Sequence, residues 1–279
     1  MSVVINTNIS SIAASRSLHE TSSSLNQAME RLASGKRING AKDDAAGMTV
    51  VSRMKAQITT LSQAVRNAND AISMISTYDG AADEIETILI RMRELATLAQ
   101  SGTYTGDDRS VANAEYQQLK DEIDRIHSKT KFNGTLDISS GAGGTTSVTY
   151  SFQVGFSGND HVSIGFDSLQ ASALLGQAVG TLTTAASAVA EVTELDDALK
   201  ALNAGRAEAG AYINRLEHTV SNLMNVIQRT EEARSRIEDA DFATESASLA
   251  RANVLTQAGS AMLAQASQAP MYVLTLLRG

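Results

Sequence analysis

The fold is decided by residues 54–99, MKAQITTLSQAVRNANDAISMISTYDGAADEIETILIRMRELATLA. Apolar residues recur there in alternating steps of four and three, with one repeated step of three at Tyr78: Met54, Ile58, Leu61, Val65, Ala68, Ile72, Ile75, Tyr78, Ala82, Ile85, Leu89, Met92, Ala96 and Ala99. This spacing predicts one helix with a continuous apolar stripe, the seam of a coiled coil. At a rise of about 1.5 Å per residue the helix is on the order of 70 Å long. Because such a stripe must be covered, the rest of the chain is expected to supply partner helices.

The composition favours long, thin helical layers over a thick globular core. The 279 residues are 43% hydrophobic, but aromatic residues make up 4%, tryptophan is absent and proline occurs once. There is no cysteine, which excludes disulfides and thiolate metal sites. A net charge of −8 argues against nucleic acid as a partner, because that partner requires a basic face. No apolar run approaches a membrane span and no secretory signal pattern is present, which by themselves suggest a cytosolic protein without membrane insertion.

Both ends of the chain are predicted to be amphipathic helices. Residues 3–32 carry three leucines seven positions apart, and Gly35 is expected to end that helix. Residues 244–277 are rich in alanine and carry two apolar rows, which exceed what one partner helix can cover. This last helix therefore lies at the centre of a bundle or contacts neighbouring molecules. We expect an assembly interface that comprises Leu18, Leu25, Leu32, Leu249, Leu255, Met262 and Leu263.

Two further segments are expected to cover the long stripe. Turn residues at 101–108 lead into a helix whose apolar positions again step by four and three, and the short connection predicts that it packs antiparallel to the first. A helical pattern resumes near Leu169 and continues to Ile227.

Alternating apolar residues between these helices predict a β-hairpin. Its strands are residues 147–155 and 161–166, and Gly158-Asn-Asp160 lies between them. The predicted fold class is therefore mainly α, a long antiparallel coiled-coil or helix-bundle rod with a small β-hairpin region.

Two charged segments, residues 36–47 and the sequence around 235–241, are interpreted as connectors. The first contains Asp43 and Asp44, a pair that in another setting could bind a metal or perform acid/base chemistry. The flanking Lys42 and Arg37 favour an ion-pair turn at the start of the next helix instead.

No pattern in the sequence supports catalysis. The histidines lie in separate segments without a second ligand at metal spacing: His19, His127, His161 and His218. The glycine run at 141–144 lacks the strand-to-helix context of a phosphate loop. We therefore predict a structural protein that is not an enzyme and needs no cofactor or metal.

Several short sequence motifs resemble those of bacterial flagellin. They are Ile5–Asn8, Arg31–Asn39, Ala41–Gly47 and Arg66–Ser73 on the N-terminal side, and Ala233–Glu245, Leu263–Ala266 and Val273–Arg278 on the C-terminal side. The resemblance implies an inner core domain of paired terminal helices (1–35 and 245–279), connectors (36–47 and 233–244) and an outer core helical rod (48–131 and 170–232). A β-hairpin region (132–169) takes the place of the variable domain.

The resemblance also implies a function, which is polymerisation into the extracellular flagellar filament used for swimming. The implied partners are other copies of the chain, an export chaperone, the type III export apparatus, and the hook-associated and cap proteins. The resemblance also implies export without a cleaved signal. The expected location is therefore secreted and no longer cytosolic. The nearest alternative is a hook–filament junction protein of the same family; a secreted membrane translocator and an enzyme are more distant ones.

A further implication is recognition of the monomer by Toll-like receptor 5. The family's recognition stretch is similar to Leu89–Leu95 and to Ala114–Gln118 of this chain. The receptor-binding residues carried over from the family are Arg91, Leu95 and Glu115.

Overall fold

The computed structural model describes residues 7–134, 136–137, 148–175 and 180–278, and it describes the backbone alone for residues 136–137 and 269–278. Within these ranges the elements are α1 (Ile9–Ser34), α2 (Ala45–Gln100), α3 (Gly106–Lys129), β1 (Lys131–Phe132), β2 (Leu136–Asp137), β3 (Val148–Gln153), β4 (His161–Phe166), α4 (Ala171–Leu174), α5 (Ala185–Glu238) and α6 (Phe242–Arg278). The predicted fold class is confirmed, because helices dominate and the strands form two small antiparallel ribbons.

The chain divides into two compact units, which we call the terminal unit (residues 1–58 and 228–279) and the outer unit (residues 59–227). The domain limits taken from the family resemblance remain a prediction. The glycine run at 141–144 lies outside the described residues. The interpretation that it is not a phosphate loop therefore stays a prediction.

In the outer unit, α2 is covered on its apolar side as predicted. Every residue of the stripe is buried or half-buried, and Ile85, Leu89 and Met92 are fully buried. Helix α5 runs antiparallel to α2, since Arg93 pairs with Asp196 at 2.7 Å while the earlier part of α2 pairs with a later part of α5. The antiparallel packing of α3 is confirmed too, because Arg109 at its start donates to the Ala99 carbonyl at 2.8 Å and Glu115, farther along α3, pairs with the earlier Arg91 of α2.

The hairpin of β3 and β4 explains the repeated step of three at Tyr78. Residues of β4 alternate between buried and exposed, as a period of two predicts, and Phe166 lies on the buried side. The rings of Tyr78 and Phe166 lie 5.1 Å apart, and the Tyr78 hydroxyl donates to the Asp167 carbonyl at 3.3 Å. On α5, Gly205 lies beside the end of this side chain, since a β-carbon there would be 3.4 Å from the Tyr78 hydroxyl. The repeated step of three in the apolar stripe thus places the Tyr78 ring against the hairpin.

Two features of the outer unit differ from the sequence prediction. The β1–β2 ribbon was not predicted, although Asn133 and Gly134 both have positive φ and Asn-Gly is a turn signal. The helix that was predicted to resume near Leu169 begins later, at Ala185, after the single turn α4. The delay has a local cause, because the Thr184 hydroxyl accepts from the Ser187 amide and thereby starts α5.

In the terminal unit, α1 packs along α6, and Gly35 ends α1 with φ +69° as predicted. The Asp43–Asp44 turn also forms, but its partners differ from the predicted Lys42 and Arg37. Asp43 accepts from the amides of Asn39 and Gly40, and Asp44 caps α2 by accepting from the Gly47 amide at 2.8 Å. The turn is thus held by capping of backbone amides, which a carboxylate can accept from directly, and not by ion pairs.

Candidate assembly and receptor-binding sites

The seam between α1 and α6 is built from short side chains. Leu18, half-buried, lies against Gly259, where a β-carbon would approach Leu18 Cδ1 to 3.3 Å. Farther along the pair, Ala28 and Ala252 are buried, and Arg31 pairs with Glu245 at 2.9 Å. Small residues allow the two backbones to approach closely but bury little apolar area. The pair is therefore closely packed, with weak cohesion of its own.

Of the residues expected in the assembly interface, five are half-buried and two are well exposed. The half-buried ones are Leu18, Leu25, Leu32, Leu249 and Leu263. The exposed ones are Leu255, with 51% of its surface accessible, and Met262, with 65%.

A wider set of exposed apolar side chains accompanies these two, and we call it the outer face of the terminal pair. Its members are Ile9, Ile12 and Met29 on α1 and Val254, Leu255 and Met262 on α6, all more than half exposed. Next to it, a groove of about 320 Å³ is lined by both helices, including Ser17 and Thr21 on α1 and Arg251 and Leu255 on α6. Exposed apolar side chains in this number on one pair of helices indicate a contact that a single folded chain leaves unmade.

The two connectors join through backbone hydrogen bonds that the sequence did not reveal. The Arg37 amide donates to the Glu238 carbonyl at 2.7 Å, and the Ala240 amide donates to the Gly35 carbonyl at 3.0 Å. The Lys36 ammonium pairs with the Glu238 carboxylate, which is largely buried. No local pattern marks such pairing, because it depends on two segments about 200 residues apart.

The predicted receptor-binding residues fall on two neighbouring helices. Arg91 on α2 pairs with Glu115 on α3 at 2.9 Å and with Glu94 at 3.0 Å. The hydrogen bond that Arg91 donates to Glu115, followed by the one it donates to Glu94, raises the pKa of Arg91. Arg91 and Glu115 are about half exposed, whereas Leu95 is only 6% exposed. The structure therefore brings Arg91 and Glu115 together at the surface and buries Leu95 one turn farther along α2.

Two charged arrangements in the outer unit escaped the sequence analysis. The first is a buried hydrogen bond from the Tyr116 hydroxyl to the Glu191 carboxylate, both side chains being fully buried. The second, which we call the Arg206 cluster, pairs the Arg206 guanidinium with carboxylates on successive turns of α2: Asp79, Asp83 and Glu86. The spacing of those acids on one helix face was visible in the sequence, but their partner on α5 was not.

Within the described ranges, no group of three or more histidine, aspartate or glutamate side chains is arranged to hold a metal ion. No helix in the same ranges combines the length and apolar character needed to cross a membrane.

Similar proteins are known for nearly the whole length of the chain. The family profile for the bacterial flagellin N-terminal helical region matches residues 5–136, and the profile for the C-terminal helical region matches residues 192–277. A flagellin of Halalkalibacterium halodurans is 41% identical over 277 residues, covering 99% of this chain and 100% of that protein. The flagellar filament 33 kDa core protein of Treponema phagedenis is 38% identical over 287 residues, with the same coverage.

A solved structure has the same fold. It is that of a proposed flagellar hook-associated protein from Vibrio parahaemolyticus, which is 14% identical, covers 71% of this chain and 100% of its own, and superposes with a TM-score of 0.60. At that identity the likeness concerns the fold alone. Since both helical regions match and full-length relatives are this similar, the chain belongs to the bacterial flagellin family.

Proposed function

We propose that this flagellin, a subunit of the extracellular flagellar filament, polymerises through the outer face of its terminal pair. The observation that carries the proposal is the exposure of the six large apolar side chains of the outer face, among them Val254 at 66% and Met262 at 65%. A soluble helix pair gains nothing from this exposure, whereas a polymer buries it.

The energetics suit a polymer more than a dimer. Burial of each such side chain contributes about 1.5–3 kcal/mol, so the outer face can contribute on the order of 10 kcal/mol when fully covered. Association itself costs about 4–15 kcal/mol, so contacts that cover part of the face with one neighbour are weak. Contacts with several neighbours at once are strong, and a head-to-tail contact that does not close on itself produces an open helical filament.

The test is seeded polymerisation of the purified chain, observed by negative-stain electron microscopy. Val254→Asp places a charge in the outer face and should abolish growth, because a buried unpaired carboxylate is unfavourable. Asn253→Asp adds the same charge one residue earlier, at a position that is already polar, and serves as the matched control. A chain lacking residues 1–35 and 245–279 should not grow.

The outcomes separate the two candidate functions. Long filaments from the full-length chain support the filament subunit. Short rings, or no growth with any seed, would favour the hook–filament junction protein of the same family.

Export is the second part of the proposal. A chain with this outer face would polymerise wherever it accumulated in folded form, so we propose that an export chaperone covers it and that the type III apparatus exports it unfolded. At the filament tip, hook-associated and cap proteins would then direct its addition. A cell lacking the export apparatus should retain the chain inside, and secretion that continued in such a cell would contradict this part.

The third part is recognition of the monomer by Toll-like receptor 5 through Arg91 and Glu115. A paired arginine and carboxylate, each about half exposed, offer a charged patch with fixed geometry. Arg91→Ala should reduce receptor signalling by the monomer, while Arg93→Ala, which removes a similarly exposed arginine from the same helix, should not. Equal signalling by wild type and Arg91→Ala would contradict the proposal.

A further inference from the structure

The only proline of the chain lies inside a helix. Pro270 belongs to α6, which continues to Arg278. In an α-helix the amide of residue 270 would donate to the carbonyl of Ala266, but proline has no N–H. The Ala266 carbonyl therefore lacks its regular helical donor.

The missing hydrogen bond is supplied from the other end of the chain. Asn8 Nδ2 donates to the Ala266 carbonyl oxygen at 2.7 Å, and both residues are half-buried. The same side chain caps α1, because Asn8 Oδ1 accepts from the Ser11 amide at 3.1 Å. One amide group thus completes the beginning of α1 and the proline gap of α6.

This double use explains why asparagine suits the position. Aspartate caps a helix equally well, but an ionised carboxylate has no donor, and a serine hydroxyl is shorter. An asparagine presents an acceptor and a donor on separate atoms, one for each helix.

We infer that Asn8 is a positioning residue that replaces the N–H absent from Pro270 and makes the end of α6 depend on the docked start of α1. The proline prevents α6 from completing its own hydrogen bonding, and Asn8 completes it only when the two helices are paired. Both ends of the chain then become ordered together. For assembly, which rests on the proposed function, this means that a subunit presents the start of α1 and the end of α6 to its neighbours together.

The experiment is a double-mutant cycle between the two positions. Asn8→Asp keeps the α1 cap and removes the donor, and Pro270→Ala restores the backbone donor. The first readout is the critical concentration for seeded polymerisation. The second is amide hydrogen exchange in residues 263–278, measured on the full-length chain, which does not require polymerisation.

Asn8→Asp should raise the critical concentration about fivefold and speed exchange by a similar factor, the effect of one lost hydrogen bond at a half-buried site. In the Pro270→Ala background the same substitution should change either quantity by less than about twofold, because Ala266 then has its own helical donor. Asn8→Ser should behave like Asn8→Asp, and Asn26→Asp, at an exposed asparagine of α1, should have no effect.

An effect of Asn8→Asp that is equal in both backgrounds would overturn the inference, because it would assign the residue to capping or charge alone. Wild-type exchange rates in Asn8→Asp would overturn it as well. Failure of the wild-type chain to polymerise would contradict the proposed function instead, and the exchange measurement would then decide the inference by itself.

Discussion

Removal of the Tyr116 hydroxyl tests the buried polar pair of the outer unit. In the folded chain this hydroxyl donates to one oxygen of Glu191, and among the described residues the other oxygen, Oε2, has no hydrogen-bond partner. Both side chains are fully buried. Tyr116→Phe leaves the shape of the core nearly unchanged and takes away the one hydrogen bond found for the Glu191 carboxylate.

The cost of the substitution depends on the protonation of Glu191. A hydrogen bond to a charged group contributes about 1.5–3 kcal/mol and one between neutral groups about 1 kcal/mol, so Tyr116→Phe should cost about 2–3 kcal/mol where Glu191 is ionised and about 1 kcal/mol where it is protonated.

The sign of the pH dependence follows from the groups around Glu191. Burial raises its pKa, with a smaller contribution from Glu194, while the hydrogen bond from Tyr116 and the charge of Lys120 oppose the rise. Because the folded chain binds this proton more tightly than the unfolded chain, its stabilising effect is full below the unfolded pKa of about 4.3 and is lost as the pH rises through the folded value. Tyr116→Phe should steepen that loss.

Urea unfolding followed by tyrosine fluorescence suits the measurement, since all tyrosines except Tyr272 lie in the outer unit. Tyr212→Phe is the matched control, because its hydroxyl donates to the exposed Glu208 at 3.0 Å, and it should cost less than about 0.5 kcal/mol. Glu191→Gln should flatten the pH dependence. A cost of Tyr116→Phe that is the same below and above the pH at which Glu191 titrates, or no larger than that of the control, would refute the reasoning.

Three further substitutions test the terminal unit and the Arg206 cluster. Gly47→Ala should destabilise the chain by about 1–2 kcal/mol in urea unfolding, because the added β-carbon would lie 2.4 Å from Asp44 Oδ2 and displace the cap of α2. Gly40→Ala is the control and should be tolerated, because the space around Gly40 is open. Gly35→Ala should cost about 1 kcal/mol, because the left-handed conformation at φ +69° disfavours a side chain, and Gly35→Asn should recover part of the loss in the same assay. Arg206→Ala should lower the thermal midpoint at low salt by the equivalent of about 1 kcal/mol, because it leaves three carboxylates without their shared cation. The loss should be smaller in 1 M salt, which screens these charges, and a loss that does not depend on salt would contradict that account.

The parts of the fold that could be predicted are those in which a local pattern decides the structure. The stripe of α2, the stop at Gly35 and the alternating strands each depend on the spacing of residues near one another in the sequence. The sequence could not reveal the junction of the connectors or the Tyr116–Glu191 bond, because each depends on residues brought together only by folding. The late start of α5 has a local signal, the cap at Thr184, but the prediction rested on the helical spacing after Leu169 alone.

The same division applies to the candidate sites. Apolar rows on α6 revealed in advance that one partner helix could not cover them, and Leu255 and Met262 are indeed exposed. Which residues of a row face α1 could not be predicted, because both rows mix alanine with larger apolar residues and the choice depends on how closely the backbones approach.

The contrast between the two units suggests how stability and assembly are separated in this chain. The outer unit buries large side chains such as Met92 and Phe166 within one copy, so it can fold before it meets a neighbour. The α1–α6 seam relies on residues such as Ala28, Ala252 and Gly259, which permit close approach but bury too little area to fix the pair firmly. In the proposed assembly, its remaining stabilisation comes from the outer face and becomes available only when other subunits cover it. Enlarging the seam, for example with Gly259→Leu, should therefore force the helices apart and weaken assembly even though it adds apolar surface.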